Sequence, residues 1–140
     1  MAASVLSAGA QIMSGRSQAR TLVNQAQQDE ITAKGVDLQA LQTSERRREN
    51  LRAQIAAFTA NRAAKGLSLD SPTGVAIEKE LRRQSVRDEN VERLGFVNQA
   101  DAYRRSSRLR KKGASNAIMA SYIGAGATLA EGAQNAYAAR

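Results

Sequence analysis

Apolar side chains in the first half of the chain keep a partial helical period between Ser17 and Lys65. The positions that carry this period are Leu22, Ala26, Ile31, Leu38, Leu41, Leu51, Ile55 and Phe58. Spacings of three, four and seven residues are typical of one face of an α-helix. The intervening residues are mostly good helix formers and include no proline. Five charged residues from Glu45 to Glu49 interrupt the apolar positions, so the pattern predicts a long helix but not a continuous coiled coil.

The second half repeats this pattern, with a gap from Gln84 to Asp88 and apolar positions at Ile77, Leu81, Val91, Leu94, Val97 and Ala102. Between the halves, Gly66 follows Arg62 and Lys65, which predicts a left-handed C-cap. Ser71 and Pro72 suit the N-cap and the first position of a new helix. The second helix is expected to end similarly, because Lys111 and Lys112 precede Gly113.

Two such helices joined by a short connector favour an antiparallel arrangement. The predicted fold class is all-α: a long antiparallel helical hairpin with small-residue-rich helical N- and C-terminal segments. Because large apolar side chains are sparse, a single copy buries little, and we expect the chain to assemble as an oligomer. The predicted parts are an apolar segment at 1–15, helix 1 at 16–66, a connector at 67–75, basic helix 2 at 76–112 and an Ala/Gly-rich segment at 113–140.

The two ends of the chain carry almost no charge and are rich in small residues. Residues 1–15 lack the basic start and the leucine-rich run of a secretory signal, so we expect them to be retained. Residues 113–130 contain no charge but are too polar for one copy to span a membrane alone. Small residues four apart, such as Ala120 and Gly124, would allow close helix contact. The candidate packing or membrane residues are Ile118, Met119, Tyr122, Ile123, Gly124, Gly126 and Leu129.

Composition argues against an enzyme. The 140 residues include no cysteine and no histidine, which removes the commonest general base and most transition-metal ligands. We find no nucleophile elbow, phosphate loop or metal-ligand spacing, and we expect no catalytic residue, metal or cofactor. The glutamates Glu45, Glu49, Glu78, Glu80, Glu89 and Glu92 each have Arg or Lys nearby, so pairing within each helix is the simplest interpretation.

Net charge of +8 favours anionic partners. The densest basic stretch has six cations and no acid, and comprises Arg104, Arg105, Arg108, Arg110, Lys111 and Lys112. These residues are candidates for sequence-independent contact with DNA phosphates or another anion. Two alternatives stand beside this one: a basic helix end that favours its dipole and solubility, and a collar at lipid head groups.

The connector and the second helix resemble a known family. The matching residues are Gly66-Leu67-Ser68-Leu69-Asp70-Ser71-Pro72 and Gln99-Ala100-Asp101-Ala102-Tyr103-Arg104. They resemble the small internal virion, or DNA-ejection, proteins of short-tailed bacteriophages. In that family a Gln/Ala/Arg-rich helix leads into a Gly-hydrophobic-x-x-Asp-Ser…Ser-Pro turn. A charged helix, an Ala-Tyr-Arg patch and a Gly/Ala-rich apolar tail follow, in the same order as residues 20–130 here.

The resemblance implies a virion protein that is released with the genome and helps to form a conduit through the host envelope. Expected partners are further copies of the chain and other virion proteins of the portal, the tail or the larger ejection set. DNA and the host membrane are further candidate partners. Expected locations are the virion and, after infection, the host cell envelope. Two alternatives remain: a head, portal or tail-channel assembly factor that stays in the particle, and a small basic DNA-binding protein.

Overall fold

A computed structural model of the chain describes residues 2–68 and 71–138, and side chains from residue 5 to residue 137 within those ranges. Met1, Leu69, Asp70 and residues 139 and 140 lie outside the described residues, and so do the corresponding parts of the predicted connector and end segments. The element order is α1 (Ala2–Ala64) followed by α2 (Pro72–Ala138). The described residues contain no β-strand, and the all-helical prediction is confirmed.

The turn between the helices follows the capping signals of the sequence. Gly66 has a φ of 66°, in the left-handed region that glycine adopts without strain. The Leu67 amide donates to the Arg62 carbonyl at 3.0 Å, which closes a Schellman-type helix end. The Ser71 hydroxyl accepts a hydrogen bond from the Gly74 amide at 3.2 Å, and α2 begins at Pro72. The connector is therefore shorter than the predicted 67–75.

The Arg62 side chain stabilises this turn. The guanidinium donates to the Ser68 carbonyl at 2.7 Å and to the Ser71 hydroxyl at 2.5 Å. It also lies 5.6 Å from the centre of the Phe58 ring, within the range of a cation–π contact. One side chain thus joins the last turn of α1 to the N-cap of α2.

The helices extend beyond two predicted boundaries. We expected helix 2 to end at Lys112, but this prediction was wrong, because α2 runs through Gly113 to Ala138. A glycine inside a helix costs about 1 kcal/mol relative to alanine. Packing offsets that cost here, because Gly113 faces Leu22 of α1 and Ala114 is buried. Likewise α1 passes without a break through residues 15 and 16.

The contacts divide the chain into two compact units. The terminal unit combines Met1–Thr32 with Ala102–Arg140, and the turn unit is Ala33–Asp101. In the terminal unit, Gly15 meets Ser121, Leu22 meets Gly113 and Glu30 meets Ser107. Residue numbers fall on α2 as they rise on α1, so the two helices are antiparallel within this unit. In the turn unit, contacts of Ser44 with Glu89 and of Arg62 with Ser71 show the same direction.

Small side chains form the buried contact of the terminal unit. Its buried residues on α1 include Ala8, Gly15, Ala19 and Ala26, which recur at intervals of four and seven. On α2, Ser107 and Ala114 lie seven apart, and Ala125 follows. This spacing keeps one narrow stripe against the partner helix, as in coiled coils, but with alanine and glycine in place of leucine. We call these residues the small-residue seam.

Candidate functional site

The six cations of the basic stretch do not form one surface. Arg110 turns toward α1, where its Nε lies 2.9 Å from the Asp29 carboxylate and its Nη1 donates to Gln25. The Nζ of Lys111 lies 2.6 Å from Oε1 of Glu30. These two cations therefore hold the helices of the terminal unit together. Arg104 is half-buried and also has an interaction partner.

Ser107 extends the same polar contact into the seam. Its side chain is the largest fully buried one among the described residues, and its hydroxyl donates to Glu30 at 3.1 Å. The Glu30 carboxylate thus accepts hydrogen bonds from both the Ser107 hydroxyl and the Lys111 ammonium group. One feature of the sequence could have indicated these pairs. Asp29 and Glu30 are the only acidic residues among the first 36, so they are the only carboxylates there that could pair with the basic stretch.

Four cations of the stretch are exposed, and one of them, Lys111, is the partner of Glu30. Arg105, Arg108 and Lys112 are exposed, and none of them has an ion-pair partner among the described residues. Spacings of three and four residues place them on one side of α2, with the exposed Leu109 between them. We call Arg105, Arg108 and Lys112 the basic face. The structure thus brings together three of the six predicted anion contacts.

The predicted packing residues near the end of α2 lie mostly on the outside of the terminal unit. Met119 is 61% and Ile123 is 68% exposed, and Ile118, Tyr122 and Leu129 are also exposed. A β-carbon at Gly124 would lie 3.2 Å from the Gln11 side chain of α1, whereas one at Gly126 would meet nothing within 4 Å beyond its own helix. The seam uses Ala114 and Ala125 instead. Large apolar groups here point outward, and small ones point inward.

Arg16 links this region to α1 by donating from Nη2 to the Tyr122 hydroxyl at 3.0 Å. No described helix combines the length and the hydropathy that a membrane crossing requires.

An ionic cluster in the turn unit joins the helices at the charged run that interrupts the apolar pattern. Arg47 Nε lies 2.5 Å from Glu92, and its Nη1 lies 3.7 Å from Asp88. Glu89 accepts a hydrogen bond from the Ser44 hydroxyl at 2.6 Å and one from Arg48 at 3.2 Å. The charged run therefore continues the pairing of α1 with α2 instead of ending it.

The expected pairing within each helix holds for some glutamates and fails for others. Glu78 pairs with Arg82 one turn away at 2.6 Å, as expected. Glu89 and Glu92 instead pair with Arg48 and Arg47 of the other helix, so for them the expectation was wrong. For Glu89, sequence spacing alone could not distinguish the two cases, because Arg93 lies one helical turn away on α2. Glu92 has no Arg or Lys three or four residues away on its own helix.

These contacts shift the acidity of the carboxylates. The hydrogen bond from Arg47 holds the pKa of Glu92 below its usual range, and the same contact raises the pKa of Arg47. The hydrogen bond from Ser44, aided by Arg48, lowers the pKa of Glu89 against the opposing effect of burial. Both glutamates are therefore more strongly ionised in the folded chain than in the unfolded chain.

Two grooves flank the helices of the turn unit. One has a volume of about 560 Å³ and is lined by Ala40, Leu41, Phe96 and Val97, with charged side chains near its ends. We call it the Leu41 groove. The other is about 490 Å³ and is mainly polar, with residues such as Asn50, Gln54 and Gln84. Among the described residues, no group of three acidic side chains is placed to hold a metal ion.

Comparison of the chain with protein-family models, with curated proteins and with solved structures gave no match.

Proposed function

We propose that this chain is a non-enzymatic structural subunit of the DNA-delivery apparatus of a tailed-phage particle and that it works as a helical homo-oligomer. The observation that carries the proposal is the placement of side chains by size. The buried hydrophobic residues of the described chain are alanines and one valine, whereas leucines, isoleucines and methionines are exposed on both helices.

This placement supports assembly because apolar surface gains stability when it leaves water, at about 25 cal/mol per Å². Large apolar residues such as Leu38, Met119 and Ile123 are among those most often buried in chains that act alone. Here they lie outside, where another copy or another virion protein can cover them. The small-residue seam serves a different purpose, since it lets two helices approach closely and leaves the larger groups free for intermolecular contact.

The phage assignment comes from the sequence. The resemblance includes Gly66, Ser71 and Pro72, which cap the two helices of this chain, and a charged helix and a small-residue apolar segment that follow in the family order. The alternative, a head, portal or tail-channel factor that stays in the particle, uses the same assembly surfaces. Release with the genome and contact with the host envelope distinguish the two.

The first experiment measures the mass of the purified full chain by light scattering and its flotation with phospholipid vesicles on the same sample. Discrete multimers that float with the vesicles are the expected result for an ejection subunit. Multimers that stay in solution would favour the component fixed in the particle. A monomer at all concentrations, alone and with vesicles, would overturn assembly as its function.

A second candidate function is sequence-independent DNA binding. The basic face favours it, because Arg105, Arg108 and Lys112 are exposed on one side of α2. This candidate does not explain the exposed apolar residues, so we rank it below assembly.

A further inference from the structure

One side of the terminal unit combines cations with apolar side chains. Arg16, Arg20 and Lys111 line a groove of about 480 Å³ between α1 and α2, together with Val23 and Ile118. None of the described residues that line this groove is acidic. The groove therefore has a positive rim and an apolar interior.

On α1, this side continues from the groove toward the N-terminal end. Residues seven apart lie on nearly the same side of an α-helix, because seven residues make about two turns. Met13 and Leu6 precede Arg20 by seven and fourteen residues, and both are exposed. Large apolar side chains thus follow the cations along the outside of α1.

On α2, the same order of cations and apolar side chains occurs. Arg108 precedes the groove residue Ser115 by seven residues, and Tyr122 follows it by seven. Met119 lies one turn after Ser115 and is exposed. We call the surface with Met13 and Arg20 on α1 and with Arg108 and Met119 on α2 the amphipathic side.

The opposite side of the terminal unit is polar. The Thr128 hydroxyl donates to the Gln11 side chain, and Gln25 accepts a hydrogen bond from Arg110. Gln18 lies seven residues from each of these glutamines and therefore shares their side. Nine residues, or about two and a half helical turns, separate Gln11 from Arg20, so the two point in opposite directions.

The cations of the amphipathic side differ in how they are bound. Arg16 donates to a tyrosine hydroxyl of α2, and Lys111 pairs with Glu30. Arg20 and Arg108 are exposed and have no interaction partner among the described residues. These two are therefore the charges on this side that an external anion can neutralise.

Cations and exposed apolar side chains on one side of a helix pair fit an anionic lipid surface. Arginine contacts the phosphates of the head groups, while methionine and leucine enter the boundary with the acyl chains. Duplex DNA would use the same cations, but its phosphate backbone gains nothing from Met13 and Met119. The polar Gln18 side suits water, so the pair fits a position along the surface.

We propose that the terminal unit binds the surface of an anionic phospholipid membrane through the amphipathic side, with α1 and α2 lying along that surface. Arg20 and Arg108 contact the phosphates, and Met13 and Met119 enter the acyl boundary. This inference rests on the host-envelope contact of the proposed function and names the surface that makes it. At the envelope, lipid covers the apolar side chains of this unit, and the exposed leucines of the turn unit remain for contacts between copies.

The first test uses the absence of tryptophan from the chain, because one introduced tryptophan then reports on one position. Met119→Trp places it on the amphipathic side, and Gln18→Trp places it on the opposite side. With vesicles of phosphatidylcholine and phosphatidylglycerol, the fluorescence of Met119→Trp should shift to the blue and resist quenching by acrylamide. Gln18→Trp should keep the spectrum of the free chain. Equal changes in both variants, or no change in either, would overturn the one-sided contact.

The second test removes charge. Arg20→Gln combined with Arg108→Gln should raise the dissociation constant for the anionic vesicles about tenfold or more. Lys79→Gln combined with Arg83→Gln is the matched control, because it removes two exposed cations of the turn unit that have no interaction partner among the described residues. Circular dichroism checks that each variant keeps its helices. Equal dissociation constants of the two double variants would contradict the proposal.

The third test removes apolar surface. Met13→Gln combined with Met119→Gln should also weaken vesicle binding about tenfold or more, because four methylene-sized groups or more no longer leave water. Leu38→Gln combined with Leu94→Gln is the control, since both leucines are similarly exposed but belong to the turn unit. A methionine variant that binds as well as the leucine variant would remove the acyl contact and with it the proposal.

The lipid composition and the mass of the chain separate this inference from the proposed function. Equal wild-type binding to vesicles of pure phosphatidylcholine would overturn the anionic contact. Binding that neither the arginine nor the methionine double variant weakens would overturn the surface assignment and leave envelope contact standing. A wild-type chain that binds no vesicles would overturn both, and binding to duplex DNA alone would then identify the other occupant. Light scattering on the same samples tests assembly independently.

Discussion

At the scale of single residues, Gly15 shows why the seam consists of small side chains. A β-carbon at this position would overlap the Ser121 side chain and lie 3.0 Å from the Ala117 carbonyl oxygen. The carbonyl belongs to the helix backbone, so it cannot move aside without displacing α2. Glycine here therefore permits the close approach of the two helices, and its conformational freedom is not what the position requires.

We predict that Gly15→Ala destabilises the terminal unit by about 1–2 kcal/mol, because overpacking outweighs the better helix propensity of alanine. Gly126→Ala is the matched control, since nothing lies within 4 Å of a β-carbon there. This control should instead gain up to about 1 kcal/mol. Urea unfolding of both variants measures the difference, and a stabilising Gly15→Ala would contradict the close packing.

Sequence could not distinguish these two glycines. Both lie in uncharged stretches rich in alanine, and the difference arises only from which face of its helix each occupies. The four-and-seven spacing of Ala8, Gly15, Ala19 and Ala26 was present in the sequence. Alanine is so frequent there that many registers give similar spacing, so the buried stripe became identifiable only when the two helices were paired.

At the scale of the helices, local signals were more informative than long-range ones. Gly66, Ser71 and Pro72 act through hydrogen bonds and dihedral angles within a few residues, and their predicted roles are confirmed. The helix end predicted at Lys112 was wrong. Lys111, Lys112 and Gly113 resemble the cations and glycine that end α1, but Gly113 faces Leu22 of α1, and this packing favours a continuous helix. Similarly, the partners of Glu89 and Glu92 depend on which turn of α1 lies opposite.

The paired glutamates make stability depend on pH. The folded chain lowers the pKa of Glu89 and Glu92, so their stabilising contribution is present above the ordinary glutamate pKa of about 4.3 and is lost as the pH falls below it. We predict that the thermal midpoint falls as the pH is lowered through and below about 4.3, because the folded chain then has to protonate carboxylates that it holds ionised. Glu89→Gln combined with Glu92→Gln should lower the midpoint at pH 7 and reduce this fall.

Glu45→Gln combined with Glu49→Gln is the control for this measurement. Both residues are exposed, and neither pairs with α2 among the described contacts. Circular dichroism melts at several pH values should therefore show the wild-type fall in the control. If the two double variants had the same pH profile, the ionic cluster would not be the source of the dependence.

At the scale of the whole molecule, the sequence identified the basic stretch but not which of its cations pair with α1 and which remain unpaired on the surface. Arg110 and Lys111 are structural, because they pair with Asp29 and Glu30 of α1. Within this stretch, the exposed cations without an ion-pair partner among the described residues are those of the basic face. Replacing all six cations would therefore confuse loss of binding with loss of packing, and a test of DNA binding has to leave the structural pair intact.

We predict that replacing Arg105, Arg108 and Lys112 with glutamine lowers the slope of log affinity against log salt by about 2–3, if each contacts one phosphate of double-stranded DNA. The control replaces the same number of cations in the turn unit, Lys79, Arg82 and Arg87, of which the last two pair with glutamates of α2. Filter binding at several salt concentrations measures both. Equal slopes in the two triple variants would remove the basic face as the DNA contact.

The small-residue seam also determines how the fold responds to heat. Unfolding raises the heat capacity mainly by exposing apolar surface, and a seam of alanine, glycine and serine has little of it to expose. The enthalpy and entropy of unfolding therefore change slowly with temperature, and the stability curve of a single copy is broad and shallow. If copies assemble as proposed, sharp and cooperative melting would come from the surfaces between them, and thermal cooperativity would be a property of the assembly.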